Sequence, residues 1–193
     1  MNLRSMTRWT SVLLFVAVAA PRLAAAQEGG EGVNASGGIR DDSTHTRPHM
    51  LSFFATVPYW SGWGFGLGAR YQIPLMHDGF LPRVNDSFEL EFGADIYYAG
   101  AFCYYNGCGF GAVGLTIPVE AMWTFHITPR FDAYGKLGLG VNFYFGNGFY
   151  VSGPFGPVWF SSGAGIMYHI NDSIYLRAEL GWPTTRVGIG IPL

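Results

Sequence analysis

From residue 63 onward, hydrophobic and polar positions alternate with a period of two. Trp63, Phe65, Leu67, Ala69, Tyr71 and Ile73 are separated by Gly64, Gly66, Gly68, Arg70 and Gln72. Phe88, Leu90, Phe92, Ala94, Ile96 and Tyr98 alternate with Glu89, Glu91, Gly93, Asp95 and Tyr97. Successive side chains on an extended strand point to opposite faces, so each run predicts a strand with one apolar and one polar face. The same rows return later. Val113, Leu115, Ile117, Val119, Ala121, Trp123 and Phe125 run against Gly114, Thr116, Glu120 and Thr124. Ile174, Leu176, Ala178, Leu180 and Trp182 run against Tyr175, Arg177 and Glu179, and Val187, Ile189, Ile191 and Leu193 against Arg186, Gly188 and Gly190. Beyond Met50 no segment combines helical spacing with caps. The pattern predicts an all-β domain with strands near 50–58, 63–73, 87–98, 112–126, 131–144, 158–170, 173–182 and 186–193.

Two orientations are compatible with such rows. A soluble, lipocalin-like periplasmic barrel turns the apolar face inward, around an apolar ligand; a membrane barrel turns it outward to lipid and keeps a polar interior. Three features favour the membrane. The polar face is mainly Gly, Ser and Thr, which fit a narrow lumen but leave a water-facing sheet without solubilising charge. The charges on that face are of both signs: Arg70, Lys136, Arg177 and Arg186 against Glu89, Glu91, Asp95, Glu120, Asp132 and Glu179. Buried charges persist when paired, so this set predicts an ion-paired network inside the lumen. Finally, aromatics gather at the ends of the apolar rows. Trp60, Trp63, Tyr98 and Trp182 fall toward one rim, and Trp123, Phe125 and Tyr168 toward the other, as two aromatic belts around an aliphatic band.

A sheet edge in hydrocarbon leaves amides unpaired at several kcal/mol each, so the expected architecture is a closed antiparallel transmembrane β-barrel of about eight strands, up-and-down in topology. With an even strand number both ends lie on one side, the periplasm. The turns at 127–130 and 171–172 belong there, and the longer loops around 99–111 and 145–157 face outward. The turn at 74–86 is long for the inner side, and that at 183–185 short for the outer side.

Composition supports this. Of 193 residues, 49% are hydrophobic, 17% aromatic and only 12% charged, with a single lysine, Lys136. Soluble domains carry roughly 25% charged residues. The formal charge of −2 provides no basic footprint for nucleic acid. Residues 1–26 read as a cleaved signal peptide: Arg4 and Arg8, an apolar stretch from Ser11 to Ala20, and Ala24-Ala25-Ala26 before Gln27. The apolar stretch is half of the roughly 20 residues a spanning helix needs. Residues 27–48, rich in Gly and acidic residues with little to bury, read as a flexible periplasmic tail, and 49–193 as the barrel. His45 and His49 in the tail are expected to be solvated rather than metal-bound.

Over roughly residues 50–193 the chain resembles the small eight-stranded outer-membrane proteins of the OmpA and OmpX type. The resemblance is one of architecture and pattern. It implies bacterial outer-membrane localisation, contact with outer-membrane lipid and lipopolysaccharide, delivery by the barrel-assembly machinery, and a monomer. Those families often end in Phe, whereas this chain ends Ile191-Pro192-Leu193, and it lacks a following peptidoglycan-binding domain.

Candidate chemistry is sparse. Cys103 and Cys108 bracket a four-residue loop and, in an oxidising compartment, predict a local disulfide. Two thiols alone do not make a metal site, and no cofactor is expected. The lumen charges predict either a plug or a small gated pore; eight strands enclose a space that side chains nearly fill. His126-Ile127-Thr128 is similar to the His-x-Ser element of lipid A deacylase barrels, but Thr stands for Ser and no acidic partner is evident, so no catalytic residue is assigned. His169 shares the lumen parity with Glu179 and Asp132. Aromatic outer loops, with Phe102, Tyr104, Tyr105, Phe149, Tyr150 and Phe155, suit a rim against lipopolysaccharide or an adhesive surface.

Overall fold

The alternating rows become the staves of a closed barrel. The computed structural model describes residues 32–58, 64–104, 107–146, 148–150, 158–182 and 184–193. The strands are β1 (Met50–Pro58), β2 (Gly64–Met76), β3 (Asp86–Tyr104), β4 (Gly107–Thr128), β5 (Phe131–Gly146), β6 (Gly148–Tyr150), β7 (Val158–Asn171), β8 (Ile174–Trp182) and β9 (Thr184–Pro192). All pairings are antiparallel. β1 pairs with both β2 and β9, and β4 with both β3 and β5, so eight staves close into a ring. The short β6 pairs only with the far end of β5, Tyr144 opposite Tyr150. β1 and β9 meet along a seam from Met50↔Pro192 to Pro58↔Thr184. The end of the barrel holding Met50 and Leu193 is called the terminal end below, and the opposite one the loop end. No helix among the described residues is long and apolar enough to cross a membrane.

The pleat sorts residues as the period-two pattern requires. Phe92, Val119, Leu139 and Phe160 are register partners across β3, β4, β5 and β7, and their exposures run from 37% to 58%. Across these four staves one level of the outer wall is therefore a continuous apolar band. The polar parity is buried, with Arg70, Asp95, Glu91, Glu120 and Arg177 at 1% exposure or less. This overturns the soluble, lipocalin-like alternative, in which the apolar rows would line the interior. β1, β8 and β9 are 9 residues long, within the roughly 9–11 that a tilted strand needs to cross a bilayer.

β3 and β4 differ from expectation. They run 19 and 22 residues and continue pairing through Cys103↔Cys108 and Tyr104↔Gly107. Much of the loop expected over 99–111 is thus a hairpin extension, with β3 reaching Tyr104 and β4 starting at Gly107. Gly100, Gly107, Gly109 and Gly111 interrupt the alternation there, which hides the strand from a periodicity reading.

Residues 32–48 also differ from the tail expectation. They turn back against the terminal mouth. The Ile39 amide donates to the Ile127 carbonyl at 3.3 Å, and the Asn85 amide donates to the Ile39 carbonyl at 2.9 Å. The turn is tied by Asp41, whose carboxylate accepts the Gly37 amide at 2.5 Å and the Ser43 amide at 3.1 Å. Those donors, Gly37 foremost, hold Asp41 well below the usual carboxylate range. Gly37 itself has φ +82°, a conformation that suits glycine. Composition does not reveal such docking, because its hydrogen bonds are mostly main-chain. The signal segment 1–26 lies outside the described residues.

Candidate functional site

The lumen contains a connected charge network. Glu91 on β3 and Glu120 on β4 are direct register partners on the inner face. Like charges directly opposed across a ladder repel. Lys136 on β5 resolves the conflict, with Nζ 2.7 Å from Glu91, 3.1 Å from Glu120 and 2.9 Å from Glu179. Gly138 stands opposite Glu120. A Cβ there would lie 2.9 Å from the Glu120 Cγ and 2.2 Å from the Val119 carbonyl oxygen, so only glycine lets the carboxylate lie across β5.

Arg177 on β8 completes the crossing. Its Nη1 is 2.7 Å from Glu91 Oε2 and donates to Ser52 Oγ at 2.8 Å, while Nη2 is 2.9 Å from Glu179 Oε1. β3 and β8 are four staves apart in either direction around the ring, so the Arg177–Glu91 pair spans the barrel's diameter. The guanidinium also lies between the Phe54 and Tyr134 rings, 5.0 and 5.2 Å from their centroids. Toward the loop end, Asp95 joins Arg70 and Arg186, the latter at 3.0 Å, and Arg186 also reaches Glu179 at 3.1 Å. Four cations and four carboxylates, Arg70, Lys136, Arg177 and Arg186 with Glu91, Asp95, Glu120 and Glu179, therefore form one electroneutral set.

Aromatics and hydroxyls fill the space around it. Tyr97 donates to the Tyr144 hydroxyl at 3.0 Å, Thr116 donates to Asn142 at 2.5 Å, and Tyr134 donates to Glu179 at 2.9 Å. The Tyr97 ring lies against Gly114 and the Tyr134 ring against Gly165; a Cβ at either glycine would approach the ring within 2.4 Å.

Glu89 and Asp132, grouped with the rest on sequence parity, belong to a second cluster near the terminal mouth. Asp132 accepts from His126 Nδ1 at 2.9 Å and from His169 Nε2 at 2.7 Å. The other ring nitrogen of His126 is 2.8 Å from Ser87 Oγ, which also contacts Glu89 Oε1. Thr124 donates to Glu89 Oε2 at 3.0 Å. The acidic partner of His126, not evident in the sequence, is thus Asp132. The order Ser87, His126, Asp132 is that of a nucleophile, base and orienting carboxylate. Here Ser87 is fully buried, and its hydroxyl is engaged by Glu89 as well.

Sequence reasoning missed Ser87, Tyr134, Ser161 and Asn85 as site residues. Ser87, Tyr134 and Ser161 share the lumen parity, but nothing in a neutral side chain distinguishes a network member from filler. Of the expected aromatic belts, Tyr98, Tyr168 and Trp182 point outward with 37%, 44% and 54% exposure. Trp123 packs at a tilt beside Phe125 and donates its indole N–H to Asp86 at 2.6 Å. Trp60 and Trp63 lie outside the described residues. Cys103 and Cys108 are placed opposite each other in the β3–β4 register.

A family model agrees with this architecture. The family described as "Outer membrane protein beta-barrel domain" matches residues 10–185. No curated protein sequence matches the chain. Among solved structures, one from "De novo design of transmembrane beta-barrels" has 15% identity and a TM-score of 0.49, covering 77% of this chain and 98% of the other. The Yersinia pestis outer membrane protein Ail in a phospholipid bilayer nanodisc has 16% identity and a TM-score of 0.49, covering 77% and 100%. Ail in complex with the heparin analogue sucrose octasulfate has 15% identity and a TM-score of 0.47, covering 76% and 97%. With the family match spanning most of its length, this chain belongs to the outer membrane protein beta-barrel family.

Proposed function

We propose that the protein is a structural, surface-presenting barrel of the bacterial outer membrane whose lumen is plugged by its own charge network. The carrying observation is the Arg177–Glu91 contact between staves on opposite sides of the ring, with Lys136 bridging three further carboxylate contacts beside it. Ion pairs that reach wall to wall, each side chain enclosed, leave no room for solute, and opening them would strand several buried charges. The purified protein in planar bilayers is expected to show no stable conducting state. A stable large conductance would overturn the plug.

The remaining features fit this role. Residues 1–26 act as a cleaved export signal, and the apolar outer wall contacts lipid and lipopolysaccharide as a monomer delivered by the barrel-assembly machinery. Opposed Cys103 and Cys108 form a cross-strand disulfide that ties off the extended β3–β4 hairpin, since directly paired strand residues lie within disulfide reach. The loop end is the presenting surface; deleting 145–156 and measuring cell-surface binding tests it, and unchanged binding would remove an adhesive role. The Ser87–His126–Asp132 relay acts as interior hydrogen bonding rather than as a hydrolase, because Glu89 occupies the face of Ser87 that a substrate would need.

A further inference from the structure

The β2–β3 connection is longer than closing the barrel requires. Residues 77–85 join Met76 to Asp86, whereas 129–130 and 172–173 suffice for the other two connections at the terminal end. A short turn is enough to join an antiparallel pair. The segment is also apolar where it is exposed, with Leu75 at 55%, Phe80 at 54% and Leu81 at 42%. A register shift between Pro74 and Met76 sets Met76 opposite Phe88. Regular alternation would turn Met76 inward with Pro74; the bulge instead leaves both Leu75 and Met76 exposed.

The turn is held against the outer wall. The Phe80 ring meets Phe88 and Trp123 edge-on, with centroids 5.1 and 5.9 Å away. Phe88 and Trp123 are register partners on the apolar parity of β3 and β4. Asp86 fixes this arrangement. Its carbonyl accepts the Gly79 amide at 2.7 Å, and its Oδ2 accepts the Phe80 amide at 3.1 Å and the Trp123 indole at 2.6 Å. A Cβ at Gly79 would lie 2.3 Å from that Oδ2, so the approach needs glycine. Polar groups of the turn are spent elsewhere. Asp78 accepts the His45 amide at 3.1 Å, and Asn85 donates to the Gly38 carbonyl at 3.3 Å, both toward the folded-back segment.

The geometry points to an interfacial anchor: residues 75–83 lie in the phospholipid leaflet on the terminal side of the membrane. Leu75, Met76, Phe80 and Leu81 enter the upper acyl region, and the exposed Arg83 turns to the headgroup phosphates. This rests on the reading of the outer wall as lipid-facing, and the occupant follows from continuity with that wall. Phe80 extends the aromatic group of Phe88, Trp123 and Phe125, so the medium that solvates the wall at that level also solvates Phe80. Aromatic side chains favour the membrane–water boundary, and an arginine stem can lie along apolar surface while its head stays at the phosphates. The unusual length of the turn thereby gains a use.

Paramagnetic broadening of amide signals tests this on the full-length mature protein in phosphatidylcholine–phosphatidylglycerol nanodiscs. One probe is phosphatidylcholine with a nitroxide high on its acyl chain; the other is a water-soluble gadolinium chelate. Phe80 and Leu81 are expected to be broadened by the lipid probe at least about threefold more than Ser173, in the exposed β7–β8 turn at the same end, and by gadolinium at least about threefold less. Tyr168 and Leu137 report the wall itself. If both are broadened by the lipid probe while Phe80 and Leu81 respond like Ser173, the anchor is overturned and the lipid-facing wall stands. If Tyr168 and Leu137 also escape the lipid probe, the wall fails and the anchor with it. Protection of Phe80 and Leu81 from both probes would mean that protein covers them, a second copy or residues 27–31, and also overturns the anchor.

Discussion

Lys136 offers the sharpest test of the lumen. Replacing it with Met keeps much of the side-chain volume and removes the ammonium that lies between three carboxylates. The cost is not three ion pairs. Glu91 keeps Arg177 at 2.7 Å, and Glu179 keeps both Arg177 at 2.9 Å and Arg186 at 3.1 Å. Glu120 alone is stranded, with only the Ser161 hydroxyl left to it, and it faces Glu91 across the ladder. One uncompensated buried charge costs about 3–5 kcal/mol. K136M is therefore expected to destabilise the barrel by about that amount. E120Q alone leaves Lys136 with two carboxylates and is expected to cost about 1 kcal/mol, a lost charged hydrogen bond partly replaced by the amide. In the double variant nothing is stranded, so the two changes should couple by about 2 kcal/mol or more. The assay is equilibrium urea unfolding in detergent micelles, followed by tryptophan fluorescence and by heat-dependent gel mobility. Additivity within about 0.5 kcal/mol, or a K136M cost below about 1 kcal/mol, would refute the bridging role.

Further expectations follow from the wall and the extensions. Leu137, 60% exposed on the outer face, should cost about 2–4 kcal/mol when changed to Arg in a folding equilibrium into vesicles if it faces the bilayer midplane; a cost near zero would place that face in water. Without reduction, Cys103 and Cys108 should resist alkylation in the folded protein, and free labelling of both would remove the disulfide. W123F deletes the 2.6 Å bond to Asp86 and should lower stability by about 1–3 kcal/mol in the same urea titration, since a carboxylate loses one of its donors; no change would mean that the Phe80 amide alone serves the Asp86 carboxylate.

The outer wall was legible because a strand's period is short and lipid accepts few side-chain types. Leu137 and Leu139 announce their face without reference to any other strand. The charged set stands out by parity, since Arg70, Lys136 and Glu179 occupy positions that would otherwise be small and neutral. Its partition does not. That Glu91 and Glu120 stand directly opposed, or that Glu89 belongs with Asp132 rather than with Lys136, depends on register, which is set by pairing between staves far apart in sequence. The turned-back segment was hidden for a different reason. Gly37, Asp41 and Asn85 work through main-chain bonds and one left-handed residue, and composition registers such a stretch as disordered.

The seam between β1 and β9 has a kinetic consequence. Its partners, from Met50↔Pro192 to Pro58↔Thr184, join the two ends of the domain, so their loop-closure entropy is the largest of any stave pair. The other stave contacts are hairpins between neighbours in the chain, apart from the wider β5–β7 return. The ring should therefore zip hairpin by hairpin and close at this seam last. β9 carries Gly188 and Gly190 inward beside Arg186, and Phe54 and Met50 of β1 settle over the two glycines. An open β1–β9 edge, with its amides unpaired, is then the longest-lived intermediate on the way into the membrane, and the one a folding catalyst would need to hold.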